Sequence, residues 1–162
     1  MDNKIRQDGL FKELSTLLSK IGLLVVDVRR GIQRDGVNIV VIITNQNLDA
    51  GVDECTSAHR LLLPRLAILE DNRAISLEVS TPGLQRNFRD FYEFSLFKGR
   101  RCRVYDRQVS DWVEGLIEEV SEEGVVLAKA RLVDRKEIME KYTVKREDIH
   151  KAKLAYAWED MK

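Results

Sequence analysis

Between Leu10 and Ile21 the apolar residues Leu10, Phe11, Leu14, Leu17, Leu18 and Ile21 recur every three or four positions, and Gly22 follows as a stop. This spacing predicts a first helix over 5–21. Apolar-rich runs then predict strands over 23–30 and 37–44. The turn residues of 31–36 between them suit a flexible hairpin loop, so the two strands should pair antiparallel. After a polar loop at 45–51, Asp53 is placed to cap a second helix whose Cys55, Ala58, His59, Leu62, Leu66 and Leu69 share one face. Pro64 lies inside it, lacks a backbone donor and clashes with the preceding turn, which predicts a kink or break near Leu63. Ile75, Leu77 and Val79 alternate with Ser76, Glu78 and Ser80, the period of a strand with one dry face. Pro82-Gly83 ends it in a tight turn. The result is a helix, strand, strand, helix, strand unit with two helices on one face of a three-stranded sheet.

The character of the chain changes after Arg86. Phe88, Phe91, Tyr92, Phe94 and Phe97 fall at spacings that predict a short helix and a packed aromatic cluster. Five short strands are predicted at 101–105, 112–120, 125–129, 142–145 and 150–156, with a single helical turn at 146–149 leading into the last. Periodicity does not resolve 131–141, which reads as a long loop. Many short strands in so few residues indicate a small barrel. The fold class expected is therefore α+β in two domains. An N-terminal αββαβ sandwich with a three-stranded sheet occupies 1–85, a linker with a short helix 86–97, and a C-terminal small SH3-like or Sm-like β-barrel 98–162.

The run Leu77-Glu78-Val79-Ser80-Thr81-Pro82-Gly83-Leu84-Gln85-Arg86 resembles the LEVSSPGLDR signature of the bacterial ribosome maturation factor P (RimP) family. Thr81, Gln85 and Asn87 depart from the usual Ser, Asp and Pro. The segment Gly51-Val52-Asp53-Glu54-Cys55 is similar to the family's approach to its second helix. The resemblance implies a non-enzymatic factor that binds the immature small (30S) ribosomal subunit and promotes its assembly. Its partners would be 16S rRNA and the small-subunit ribosomal protein numbered twelve, the latter through the barrel. A general RNA- or protein-binding adaptor is the alternative.

Composition narrows these readings. The chain has 162 residues, 44% hydrophobic and 33% charged, which describes a globular protein with a core. No apolar run approaches the roughly 20 residues of a membrane-spanning helix, and the polar start Met-Asp-Asn-Lys does not have the plan of a signal peptide. A cytoplasmic protein with no membrane partner is expected. Lys+Arg and Asp+Glu both total 27, so affinity for nucleic acid must come from local patches. Cys55 and Cys102 read as buried thiols rather than a disulfide. A short connection and neutral charge suit a monomer, although an exposed sheet face also permits pairing of two copies.

Signals for catalysis are weak. His59 and His150 stand in no local catalytic motif and read as structural residues. Cys55 and His59, with Cys102 and His150, make a poor zinc set, and neither a cofactor nor a metal is expected. A metal-dependent nuclease would require Asp27 and Glu78 on the wet side of neighbouring strands to share a divalent cation, whereas such carboxylates more often only keep a sheet face soluble. No glycine-rich phosphate loop is present. Basic density does stand out: Arg86, Arg89, Lys98, Arg100, Arg101, Arg103 and Arg107 outnumber Asp90, Glu93 and Asp106 in the same stretch. Arginine forks hold phosphate oxygens bidentately, and the family resemblance weights these residues toward rRNA binding rather than a solvated rim. Arg29, Arg30 and Arg34 around the first hairpin form a second, smaller group.

Overall fold

The structure is a computed structural model in which residues 1–156 are described. The chain divides into two compact units, one spanning Lys4–Pro82 and the other comprising Met1–Asn3 and the residues from Gly83 onward. The architecture is mixed α and β, with three strands in the first unit and five in the second.

In the first unit a short 3-10 turn, Ile5–Gln7, precedes helix α1, Gly9–Ser19. Asp8 caps this helix, its carboxylate accepting from the Phe11 amide at 2.9 Å. Phe11, Leu14 and Leu18 form the buried stripe. Strands β1 (Leu24–Gln33) and β2 (Gly36–Thr44) pair antiparallel, with Gln33 opposite Gly36. The expected flexible loop at 31–36 is thus mostly strand and closes in a two-residue turn. Gly36 is required there, because a Cβ would lie 2.1 Å from the Ala74 carbonyl oxygen.

Helix α2 runs unbroken from Val52 to Leu69 despite Pro64. Its solvent side carries the proline, which is exposed, while Ala58, Leu62 and Leu66 pack inward. The cap also differs from expectation. Gly51 occupies the N-cap, its amide donating to the Glu54 carboxylate at 2.8 Å, and Asp53 lies in the first turn. The helix crosses over to β3, Ile75–Ser80, which pairs parallel with β2, giving the order β1-β2-β3. Val37, Ile39, Val41 and Ile43 of the central strand are buried, whereas Asn38, Val40 and Ile42 on the opposite face are half-buried. One face of the sheet is therefore covered more fully than the other.

In the second unit a short helix, α3 (Glu93–Leu96), precedes five antiparallel strands. These are β4 (Arg101–Asp106), β5 (Asp111–Ser121), β6 (Gly124–Leu132), β7 (Met139–Lys145) and β8 (Ile149–Leu154), in the order β7-β6-β5-β4-β8. A 3-10 turn, Arg146–Asp148, leads into β8 as the sequence predicts. Of the ambiguous 131–141 stretch, 131–132 end β6 and 139–141 begin β7, and 133–138 between them form the loop.

The five strands expected to make a small SH3-like or Sm-like barrel form one sheet that is not closed by a continuous ring of ladders. Among the described residues no ladder joins β7 to β8. The reason lies at the free edge of β8, where Asn87 bridges to Lys153, the Phe88 amide donates to Ala152 O at 2.8 Å, and the Leu154 amide donates to Arg86 O at 2.8 Å. Ala152 O and Leu154 N, on the edge that would close the sheet, are thereby already used. A side chain makes the cross-connection instead: the Tyr142 hydroxyl of β7 donates to the Asp106 carboxylate of β4 at 2.7 Å, joining strands that are three places apart in the sheet. Residues 86–97 belong to this unit. Phe88, Phe91, Phe94 and Phe97 are buried, with ring centroids 4.9 to 5.5 Å apart in their contacts. The anticipated C-terminal domain, 98–162, also extends into 157–162, outside the described residues.

Candidate functional site

The basic residues between Arg86 and Arg107 have different environments. The Arg86 side chain is 7% exposed and its Nε donates to Glu93 at 2.8 Å. It holds the start of the second unit together, and its burial against Glu93 turns it away from the phosphate contact expected of it. Arg89, Lys98 and Arg100 are exposed. Lys98 and Arg100 flank Gly99, whose φ of +91° lies in the left-handed region, in the turn before β4. Arg101 and Arg103 alternate with buried Cys102 and Val104, so both point to the outer side of β4.

On that outer side Arg103 stands opposite Glu114, and Glu114 stands opposite Arg131. Nε of Arg103 is 3.0 Å from one Glu114 oxygen, and the Arg131 guanidinium is 3.4 Å from the other. One carboxylate shared by two guanidinium groups leaves a local excess of positive charge. In the first unit, Arg29 is exposed and lies 3.3 Å from buried Asp27, while Arg30 forks onto both Glu70 oxygens at 2.7 Å. The Arg30 guanidinium holds the Glu70 carboxyl below its ordinary range. Arg34 is exposed at the hairpin tip.

Further along the outer face of the second unit, a shallow cleft is lined by Tyr105, Arg107, Trp112, His150 and Lys151. The Tyr105 and Trp112 rings stand edge to face at 5.6 Å, the His150 ring lies 5.8 Å from Tyr105, and Lys153 Nζ sits 5.4 Å from the Trp112 centroid. The Arg107 guanidinium, which can only donate, reaches His150 Nδ1 at 3.1 Å. The proton of a neutral His150 then resides on Nε2. These residues meet because Tyr105 pairs with Trp112 on one side and with Lys151 on the other. Sequence reasoning placed these strands but assigned the cleft no role. The signal was the period of two in Lys151 and Lys153, beside a tryptophan near a strand start.

The catalytic alternatives lose their geometry. Asp27 and Glu78 lie on β1 and β3, which are separated by β2 rather than adjacent. Asp27 is fully buried and Glu78 exposed. Among the described residues no group of three or more His, Cys, Asp or Glu side chains is placed to hold a metal ion. Cys55 and His59 line a groove with Val79, Ser80 and Thr81 beside the first turn of α2. Burial pushes the Cys55 thiol up, and Glu54 adds to the shift, so it is a poor nucleophile. Cys102 is buried in the second unit and its thiol is likewise pushed up by desolvation. Among the described residues no helix is long and apolar enough to cross a membrane.

Comparison with known proteins adds to this geometry. The model of the RimP N-terminal domain matches residues 13–85, a span that includes most of the Leu77–Arg86 run. The ribosome maturation factor RimP of Borrelia turicatae is 29% identical over 152 residues, covering 93% of this chain and 97% of that protein. That of Borrelia hermsii is 26% identical over 147 residues, covering 90% and 94%. Among solved structures, a novel Sm-like archaeal protein from Pyrobaculum aerophilum aligns at a TM-score of 0.37 with 18% identity, over 41% of this chain and 52% of that one. An overlap of that extent carries no argument. The match to the N-terminal domain model, together with relatives aligned along nearly their whole length, supports the ribosome maturation factor P (RimP) family for this chain.

Proposed function

We propose that this protein takes part in ribosome maturation by binding the immature small (30S) ribosomal subunit. The likeness to the RimP N-terminal domain and to ribosome maturation factors supports the role in maturation. The observation that carries the binding reading is the cationic set Arg89, Lys98, Arg100, Arg101 and Arg103 within one unit of a chain of zero net charge. Such a set attracts RNA phosphates locally without a global field. The proposed partners are 16S rRNA at these residues and the small-subunit ribosomal protein numbered twelve at the five-stranded unit. The proposed compartment is the cytoplasm.

A factor acting by binding must favour one arrangement of the particle over others, since equal affinity for every arrangement shifts nothing. Two linked units suit this task, because docking of the first raises the effective concentration of the second. The test is gradient co-sedimentation with immature small subunits, mature small subunits and complete ribosomes at low and high salt. Selective association with the immature particle, weakened by salt and by the double charge reversal Lys98→Glu/Arg100→Glu, is expected. Equal association with all particles, or with none, overturns the proposal.

A further inference from the structure

The cleft at Tyr105, Trp112 and His150 combines two features not used by the phosphate-binding set. Its walls are aromatic, and its rim is cationic: Arg107 and Lys151 line it, and Lys153 lies over Trp112. Among the described residues no acidic side chain lines it. The nearby Asp111 carboxylate accepts from the Trp112 amide at 2.7 Å, and the Asp106 carboxylate is buried and taken by Tyr142. Tyr105 and Trp112 are half-buried, which fixes the rings while leaving part of each in contact with solvent. The cleft is open rather than enclosed, so it fits an extended chain better than a small molecule that must be surrounded.

We infer that this cleft binds an unpaired nucleotide of single-stranded RNA, its base stacked on the Trp112 ring, its edge against the Tyr105 ring that stands at 82° to it, and its phosphate held by Arg107 and Lys151. Flat aromatic bases stack on such rings with little sequence preference, and adjacent cations follow the sugar-phosphate chain. A duplex keeps its bases stacked on each other and cannot offer one to the cleft. The charge decides against a basic polypeptide segment, which would meet Arg107, Lys151 and Lys153 as like charges. The inference rests on the ribosome-maturation reading for its choice of RNA, but concerns different residues from the phosphate-binding set.

The test uses the full chain and a fluorescein-labelled single-stranded oligouridylate, with anisotropy as the readout. Trp112→Leu is expected to weaken binding roughly tenfold, while Trp112→Phe, which keeps a flat ring, retains most of it. Lys151→Glu should weaken binding as well, and a duplex of matched length should be insensitive to Trp112→Leu. Equal affinity of Trp112→Leu and the unaltered protein overturns the inference, as does an equal loss for the duplex. Indole NMR signals supply the second measurement. A shift of the Trp112 Nε1–H resonance with oligouridylate is expected, whereas a shift with a proline-rich peptide and none with oligouridylate overturns the assignment. If oligouridylate binding fails while selective co-sedimentation persists, the cleft assignment falls and the maturation reading stands.

Discussion

Glu93 has no exposed surface, and three donors converge on its carboxylate: Arg86 Nε at 2.8 Å, the Arg89 amide at 2.6 Å and the Asp90 amide at 3.1 Å. Burial pushes its carboxyl up, and the guanidinium and two amides pull it back. Such a pair costs desolvation on both sides, so its net contribution is small while it is intact. Breaking it is a different matter. Glu93→Ala takes this carboxylate from a buried guanidinium and two amides and is expected to destabilise the protein by about 3–5 kcal/mol. The double substitution Arg86→Met/Glu93→Gln, which removes both charges and keeps an acceptor for the two amides, should cost far less, as thermal unfolding of the two variants will show. Arg86 thus illustrates what a sequence pattern leaves hidden. Its neighbours count as basic density, but nothing in the spacing of Arg86 and Glu93 says that the two turn inward together.

The element that most changes the second unit is β7. Its Tyr142 hydroxyl is pushed up to about 12, by partial burial first and then by the bond to Asp106, because ionisation would put two negative oxygens side by side. A group whose value is raised in the folded state adds stability below its ordinary value of 10.0 and loses it as pH rises through the folded value. Tyr142→Phe is therefore expected to lower stability by about 1 kcal/mol at neutral pH. The deficit should shrink between pH 10 and about 12 in urea titrations. Elements with a strong period were legible in advance. Leu14 and Leu18 marked α1, and Ile75, Leu77 and Val79 marked β3. Pro64 misled because a proline on the outer side of a packed helix loses one bond without losing the buried stripe of Ala58, Leu62 and Leu66. The open sheet was not legible because an SH3-like or Sm-like strand count does not specify which edge pairs with which. That depends on Arg86–Phe88 lying against β8, a contact about 65 residues apart in the chain and invisible to local patterning.

At the scale of the molecule, a zero net charge is compatible with two kinds of positive surface in one unit. Exposed Lys98 and Arg100 can meet any phosphate, whereas the Tyr105 and Trp112 cleft requires a base that has left its stack. The chain's charge total conceals both, since ion pairs such as Arg30 with Glu70 absorb cations elsewhere. The strand order also sets a difference between the two ends of the five-stranded sheet. At β8 the Leu154 amide and the Ala152 carbonyl are bonded to the 86–88 segment, while β7 presents its outer edge without a neighbouring strand among the described residues. In deuterated water the outward amides of β7 should exchange on the timescale of an open chain, and that of Leu154 orders of magnitude later. The sheet is thus a ribbon with one sealed margin and one labile one, and isotope uptake resolved by residue will read its polarity directly.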